Sequence, residues 1–215
     1  MKSEISFRVA SESENDKVLK FLREHFFPEE PINRAYPSQD DSMEEEFLLS
    51  LLPDSNVIVA IDATNKNDEI AGLACIGEIT KNYSNESWDE SEQTTNIKWR
   101  DILKFMSHIE AKSNVCERYG VEKAVHLHGV TVNKNYRGNS LGKRLFEECF
   151  HIAKMRGYTL VSADCTSIYS VHIAQSTGME FVSMVTYDEY HEKIGYKLFN
   201  PIHPHVDVKS FVKKL

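Results

Sequence analysis

The sequence predicts a mixed α/β fold (α+β) in which helices flank a central sheet. In the C-terminal half, short apolar runs typical of strands alternate with longer stretches whose apolar residues recur at helical spacing. Gly157 and Gly178 follow two of these stretches, as expected where helices end. With 215 residues, of which 41% are hydrophobic, the chain can bury a sizeable core. We therefore expect a single layered domain over residues 1–215.

The clearest elements lie in the C-terminal half. Strands are predicted over 124–132, 158–163 and 181–187, and helices over 140–156 and 167–177. One face of the longer helix is apolar and would pack on the sheet: Leu141, Leu145, Cys149, Ile152 and Ala153.

The N-terminal half gives weaker patterns. A helix is predicted over 13–27, ended by Pro28, and a second from a capping box at Ser42–Glu45 through Leu51. The remaining segments follow in order: strands over 57–61 and 69–79 joined by a polar turn at 65–68, a polar surface excursion over 81–95, and a third helix over 97–119.

Charge limits the classes of partner. A net charge of −8 argues against a general nucleic-acid binder, which needs a basic face. Acidic residues cluster at 29–30, 40–46 and 86–92. Their negative field could attract a cationic amine, and solvated helix and loop faces explain it equally well.

Cysteine usage and hydropathy indicate a cytoplasmic protein. No apolar run approaches the length of a membrane span, and residues 1–8 lack an apolar signal region, so no membrane partner is expected. The cysteines form no CxxC pair, which favours reduced core thiols over disulfides or a zinc site: Cys75, Cys116, Cys149 and Cys165.

The segment 130–143 has the features of an anion site. A predicted strand is followed by a turn with two glycines, Gly138 and Gly142, and then by a helix N-terminus, where unpaired N–H groups and the helix dipole converge. The segment 134–144 carries four basic residues and no acidic one, in a chain of net negative charge. This indicates a polyanionic ligand, although a plain strand-to-helix turn remains the alternative.

The run Arg137-Gly138-Asn139-Ser140-Leu141-Gly142 resembles the pyrophosphate loop of the GCN5-related N-acetyltransferases (GNAT superfamily), written [RQ]xxGx[GA]. Ser140 stands where glycine is usual, at a cost in backbone freedom. The resemblance implies a GNAT fold with splayed strands and acetyl-CoA as cosubstrate. It also implies CoA contacts from Val130, Thr131, Val132, Arg137, Gly138, Asn139, Ser140, Leu141, Gly142 and Lys143, those of Val130 and Val132 through the backbone.

A narrower resemblance extends over nearly the whole chain. The segments 26–33, 132–138, 165–170 and 204–206 are similar to the insect arylalkylamine (dopamine-type) N-acetyltransferases. In that family the general base is the glutamate of the (D/E)-E-P-L-N motif, which falls on Glu30. From the residues alone Glu30 reads as a solvated turn residue between Pro28 and Pro31; the resemblance makes it the catalytic base.

Two hydroxyls and two histidines complete the candidates. The family's two serines fall on Thr166 and Ser170, with helix capping as the alternative role and Tyr169 as a reserve acid. The tyrosine acid of many GNAT enzymes is replaced here by Ala174. His126 and His128 would share one face of a strand. They resemble the histidines that line a proton path in vertebrate serotonin N-acetyltransferase, and a core pair or a metal pair is the alternative.

These observations predict an enzyme that transfers acetyl from acetyl-CoA to an arylalkylamine such as dopamine, serotonin, octopamine or tyramine, by direct attack and without a metal. Phe26, Phe27, Tyr36 and Trp99 could line the acceptor pocket, or be core residues. The alternatives are a polyamine or other non-aryl amine as acceptor, and a CoA-binding module of low activity. The oligomeric state stays open, with a monomer plausible.

Overall fold

The computed structural model describes residues 4–38, 40–64 and 69–215. Its strands are β1 Ile5–Val9, β2 Val57–Asp62, β3 Glu69–Thr80, β4 Lys123–Val132, β5 Leu160–Cys165, β6 Glu180–Thr186 and β7 Asp207–Lys214. Its helices are α1 Asn15–His25, α2 Pro31–Ala35, α3 Ser42–Ser50, α4 Tyr83–Gln93, α5 Ile97–Ser113, α6 Val115–Tyr119, α7 Leu141–Met155, α8 Ile168–Ser176 and α9 Tyr187–Ile194.

The strands form a seven-stranded sheet in the order β1-β2-β3-β4-β5-β7-β6. Every neighbouring pair is antiparallel except the central pair β4–β5, which is parallel. The parallel pairing covers only Val125–Leu127 against residues 161–163, although β4 continues to Val132 and β5 to Cys165. The sheet therefore opens in its middle, beyond Leu127.

Helices cover both faces of the sheet. On one face α7 packs Leu145, Phe146 and Cys149 against apolar residues of the central strands. On the other face α1 and α3 pack on β2 and β3, and α5 and α9 pack on β6 and β7. This mixed sheet flanked by helices confirms the predicted fold class.

Several predicted elements differ from the structure. The segment 81–95 is no surface excursion, because it forms α4, which packs on α5 with Ser87 and Ser91 buried. The single helix predicted over 97–119 is interrupted by Asn114 in the left-handed conformation (φ 31°), which separates α5 from α6. The capping box at Ser42 is also wrong: Ser42 begins α3, and Asp41 is its N-cap.

Other predictions concern the cysteines, the membrane and the turn 65–68. All four cysteines are free and buried. Within the described ranges no helix is long and apolar enough to cross a membrane. The predicted polar turn Asn65-Lys66-Asn67-Asp68 lies outside the described residues.

Candidate active site

A groove of about 1480 Å³ opens where β4 and β5 separate. Most of its lining comes from five parts of the fold: the segment 25–34 around α2, residues of α3 to α5, the second half of β4, the loop 134–140 with the N-terminus of α7, and the segment 163–176. Of the predicted site residues, all line this groove except Asn139. The fold thus brings together residues that are far apart in the sequence.

The open edge of β4 forms one wall. Cys75 pairs with Gly129 and Ile76 with Leu127, so that His128 is an extra residue opposite β3, a β-bulge. Val130, Thr131 and Val132 continue past the end of the β5 pairing. Backbone groups on that side of β4 can therefore pair with an extended ligand, as in the addition of a strand.

The N-terminus of α7 forms the floor beside this edge. The first N–H bonded within the helix is that of Arg144, to the carbonyl of Ser140, so earlier N–H groups are free to bind an anion. Gly138 (φ 82°) and Ser140 (φ 55°) both have left-handed backbone conformations. The prediction that Ser140 occupies a glycine-like position is confirmed, and its backbone is strained.

The basic residues of the loop are less available than the sequence suggests. Glu29 binds Lys134 at 3.0 Å and Arg137 at 2.6 Å, so one carboxylate partly neutralises both. Arg144 points away from the groove: its guanidinium binds the carbonyl of Ile5 and stacks over Phe7. The four cations therefore do not converge, and the anion site depends mainly on backbone N–H groups and Lys143.

Glu30 caps α2 from the mouth of the open sheet. It is the N-cap residue, its Oε2 accepts the Asn33 N–H at 2.7 Å, and Pro31 at the first helical position fixes the turn. The side chain is half-buried and lines the groove. Burial raises the pKa of Glu30, partly offset by the backbone N–H bonds, the Thr166 hydroxyl and the charge of Lys98. A carboxylate with a raised pKa is a suitable proton acceptor.

The two hydroxyls differ in their surroundings. The Thr166 hydroxyl lies close enough to Glu30 to lower the pKa of its carboxyl group. Ser170 belongs to a capping box at the start of α8, where its Oγ donates to the Ser167 carbonyl at 2.8 Å. The capping alternative therefore applies to Ser170, while Thr166 contacts the candidate base. Tyr169 also lines the groove and is 70% exposed.

His126 and His128 share one face of β4, as predicted, with ring centroids 4.9 Å apart. Both line the groove. Burial lowers the pKa of His126 to about 4, and burial together with His126 lowers the pKa of His128 well below its usual range. Both rings are therefore neutral near pH 7, and neither holds a proton for long.

Two acidic residues beside the histidines were not predicted from the sequence. Glu110 of α5 and Asp164 of β5 lie against His126, with one potential ligand atom from each of the three within 4.8 Å of the others. A carboxylate inside an amphipathic helix and one inside a strand give no local signal. The period-2 alternation that places Ser162 and Asp164 on the face of His126 could have indicated them.

The part of the groove lined by α3, α4 and α5 is aromatic and acidic. Phe26 and Trp99 line it as predicted, and so does Phe47, whose ring lies 5.7 Å from Trp99 and 5.1 Å from His128. Phe27 and Tyr36 do not line it, because they are core residues. From α4 come further groove residues that the sequence did not suggest: Tyr83, Glu86, Ser87 and Glu90.

Comparison with known proteins identifies this architecture. The profile of the Acetyltransferase (GNAT) family matches residues 19–178. The chain belongs to the GNAT family. GNAT enzymes take acetyl-CoA as cosubstrate and transfer its acetyl group to an amine, and the open strand edge and free helix N-terminus of this GNAT protein suit an extended, anionic ligand of that kind.

Three solved structures resemble this GNAT protein over nearly its whole length. A mosquito arylalkylamine N-acetyltransferase-like protein (5b) is 35% identical, with 99% of this chain and 100% of that chain covered and a TM-score of 0.94. The Drosophila melanogaster polyamine N-acetyltransferase, which forms N-acetylagmatine, is 29% identical (99% and 100%; TM-score 0.91). Arylalkylamine N-acetyltransferase 2 from Aedes aegypti is 27% identical (98% and 99%; TM-score 0.87).

Proposed function

We propose that the protein acetylates the primary amine of a small arylalkylamine, of the dopamine, serotonin, octopamine or tyramine type. The observation that carries this proposal is the wall of Phe26, Phe47, Tyr83 and Trp99 in the same groove as Glu30. An aromatic ring can pack against such a wall while the amine reaches the carboxylate. Similarity to two mosquito arylalkylamine N-acetyltransferase structures supports the same acceptor class.

In this proposal the donor lies along the open edge of β4. The backbone groups of Val130 and Val132 bind the pantetheine arm as an added strand, and the N-terminus of α7 binds the pyrophosphate. The acetyl carbonyl then sits where β4 and β5 separate, next to Thr166 and Glu30.

Glu30 acts as general base for the attacking nitrogen. As the C–N bond forms and the C–S bond breaks, the nitrogen loses a proton to Glu30 and the sulfur gains one. Thr166, which lines the groove beside Glu30 and lowers its pKa, is the hydroxyl placed to relay that proton. Ser170 must first give up its bond to the Ser167 carbonyl, so it contributes mainly by shaping the sulfur site.

A direct attack of the amine fits the state of the nearby thiol. Cys165 lines the groove, and burial raises the pKa of its thiol to about 12. A thiol that stays protonated is a poor nucleophile, so an acetyl-cysteine intermediate is disfavoured.

A second acceptor class is favoured by the acidic residues of α4. Glu86 is an exposed carboxylate on the groove wall, and Glu90 lies one helical turn further on. Two carboxylates far from the reacting amine suit an acceptor with a second cationic group, such as agmatine or a polyamine. The similarity to the Drosophila polyamine enzyme points the same way.

A panel of amines tests the proposal and separates the two classes. Thiol release from acetyl-CoA is measured with dopamine, tyramine, serotonin, octopamine, agmatine and spermidine. For an aryl acceptor, Phe47→Leu lowers kcat/KM for the aryl amines about fivefold, the size expected for a lost aromatic contact of about 1 kcal/mol. Glu86→Gln then changes the rates for aryl amines little.

Opposite responses identify the second class. If agmatine or spermidine has the highest kcat/KM and Glu86→Gln lowers it, the acceptor is dicationic. Glu92→Gln is the matched control, because Glu92 lies on the same helix but binds Lys104 outside the groove. Binding of acetyl-CoA without turnover of any amine would show the protein to be a CoA-binding module.

A further inference from the structure

Two carboxyl groups, one buried and one half-buried, lie beside the histidines at the groove wall. Glu110 is 5% exposed, and Asp164 lines the groove wall. Among residues 4–38, 40–64 and 69–215, no N–H or O–H donor reaches Glu110 Oε1 or Asp164 Oδ2. Instead, one oxygen of Glu110 and one of Asp164 lie within 4.8 Å of each other. Two ionised carboxylates this close in a buried site repel each other, so one of them holds a proton.

The surroundings decide which carboxyl group carries the proton. Burial, and then the charge of Asp164, raise the pKa of Glu110 well above its usual range. Burial also raises the pKa of Asp164, but the neighbouring Glu110 carboxyl group opposes that rise. Glu110 is therefore the protonated donor and Asp164 the carboxylate, a pair with one shared proton.

The histidines connect this pair to the acceptor end of the groove. His126 Nδ1 lies 3.6 Å from Glu110 Oε1, and its ring is adjacent to that of His128, on which the charge of Asp164 acts. Both histidines are too weakly basic to keep a proton. A proton that enters this cluster therefore ends on a carboxylate.

The reaction requires a second proton acceptor. An ammonium R–NH3+ that becomes the amide R–NH–CO–CH3 loses two protons, of which one ends on the sulfur of CoA and one leaves for the solvent. Glu30 and Thr166 account for the proton that reaches the sulfur. The first proton, which must leave before the nitrogen has a free electron pair, needs another base.

We propose that Asp164 is that base. It takes one proton from the ammonium, directly or through His128, which turns the singly charged carboxyl pair neutral and frees the lone pair on the nitrogen. The proton then passes to solvent and the pair regains its charge. Glu110 is a positioning residue, which holds Asp164 by donating its own proton. This inference rests on the proposed acetylation of an amine.

Titratable groups face the pair from every neighbouring element. Within the described part of the chain they are Tyr83 of α4, Cys116 of α6, His126 and His128 of β4, and Cys165 of β5. Burial raises the pKa values of Tyr83, Cys116 and Cys165, so all three remain neutral near pH 7. Below about pH 8 the pH response therefore comes from the carboxyl pair and from Glu30, whose pKa burial also raises, and the Glu110 variants distinguish the part that belongs to the pair.

The test is the pH profile of kcat/KM from pH 5 to 10. We expect Asp164→Asn to lower kcat/KM about 10²-fold near pH 7, the usual contribution of a general base. The deficit should shrink as the pH approaches the amine's own pKa, about 10 for an alkylamine, because the substrate then arrives deprotonated. Glu30→Gln should show a deficit that persists at high pH.

Glu110 variants provide a second readout. Glu110→Leu removes the donor that lowers the pKa of Asp164, so the acid limb of the profile should move to higher pH, and further than in Glu110→Gln, which retains a neutral donor. Glu78→Gln is the matched control, since Glu78 is exposed on β3 and binds Lys123. Circular dichroism and acetyl-CoA affinity check that each variant folds. If Asp164→Asn fails to fold, the comparison of Glu110→Leu with Glu110→Gln tests the inference.

Three outcomes would overturn the inference. An Asp164→Asn profile parallel to that of the wild type would remove Asp164 as the base. If the acid limbs of the kcat/KM profiles of Glu110→Leu and Glu110→Gln lie at the same pH, Glu110 is not the donor that lowers the pKa of Asp164. One equivalent of a divalent metal in the active purified protein, bound through Glu110, His126 and Asp164, would make the cluster a metal site. Absence of turnover in the wild type and in Glu78→Gln would instead refute the proposed function.

Discussion

Replacement of Glu30 should separate catalysis from stability. The carboxylate has two tasks: its Oε2 caps α2 through the Asn33 N–H at 2.7 Å, and its charge makes it a base. Glu30→Gln retains an oxygen that can accept the Asn33 N–H and removes only the charge. Glu30→Ala removes both the cap and the base.

The structure gives different magnitudes for the two variants. Loss of a capping side chain costs about 1 kcal/mol, so Glu30→Ala should lower the free energy of unfolding by that amount. Glu30→Gln should not lower it, because burial disfavours the charge that it removes. Loss of a general base lowers kcat by about 10²- to 10⁴-fold, and by the same factor in both variants.

Urea denaturation measures the stability, and thiol release from acetyl-CoA measures kcat. Asp101→Asn is a control carboxylate, which binds Tyr36 in the core next to α2 and does not line the groove. The reasoning is refuted if kcat falls in proportion to stability across the two variants. It is equally refuted if Glu30→Gln keeps the wild-type rate at low and high pH.

Three further predictions concern neighbouring features. A Cβ added at Gly77 would lie 2.5 Å from Nε2 of His128, against 3.4–4 Å for an ordinary contact. Gly77→Ala should therefore cost about 1–3 kcal/mol in urea denaturation and lower kcat/KM without changing the acetyl-CoA affinity measured by calorimetry. Ser140→Gly removes a left-handed serine, which costs about 1–2 kcal/mol, and adds unfolded-chain freedom worth about 0.4–1 kcal/mol, so stability should rise by up to about 1.6 kcal/mol. Burial lowers the pKa of His126 to about 4, from 6.5 for an exposed histidine, so the folded protein binds fewer protons at this ring than the unfolded chain does. The unfolding free energy of the wild type relative to His126→Asn should therefore fall by up to about 3 kcal/mol between pH 7 and pH 4.

A specific result would contradict each of these three predictions. An unchanged kcat/KM in Gly77→Ala would show that the position of His128 is unimportant. A loss of more than 1 kcal/mol in Ser140→Gly would show that the Ser140 side chain stabilises the loop. A pH-independent difference between wild type and His126→Asn would show that His126 binds a proton as readily in the folded protein as in the unfolded chain.

The sequence was sufficient to predict the elements whose structure depends on residues close together in the chain. The strand, turn and helix at 124–156 follow from period-2 and period-3.6 patterns separated by glycine, and β4 and α7 are found there. The left-handed backbone of Ser140 follows from its place in the loop motif. Glu30 was found only through the resemblance, since a glutamate between two prolines has no chemical signature of its own.

Features that depend on distant contacts could not be predicted. The polar helix α4 is stabilised by packing on α5, including mutual hydrogen bonds between Ser84 and Ser107, so its own composition resembles a loop. The neutralisation of Arg137 by Glu29 joins residues 108 positions apart. The insertion of β7 between β5 and β6 is a topological choice that an alternating pattern does not specify.

The carboxyl pair shows the same limit at the site. Glu110 and Asp164 lie on different elements, and each is unremarkable in its own segment. Only the fold places them in contact and buries them, and burial creates their unusual pKa values.

The most direct test of the account is a single-turnover experiment with acetyl-labelled acetyl-CoA. The protein is mixed with a slight deficit of the labelled donor, then with an amine, and the label is followed on protein and product. Direct attack in the groove predicts no covalently attached label on the denatured protein before the amine is added. It predicts complete transfer of the label to the amine afterwards. A labelled protein that passes its acetyl group to the amine, or a label that never leaves CoA, would contradict it.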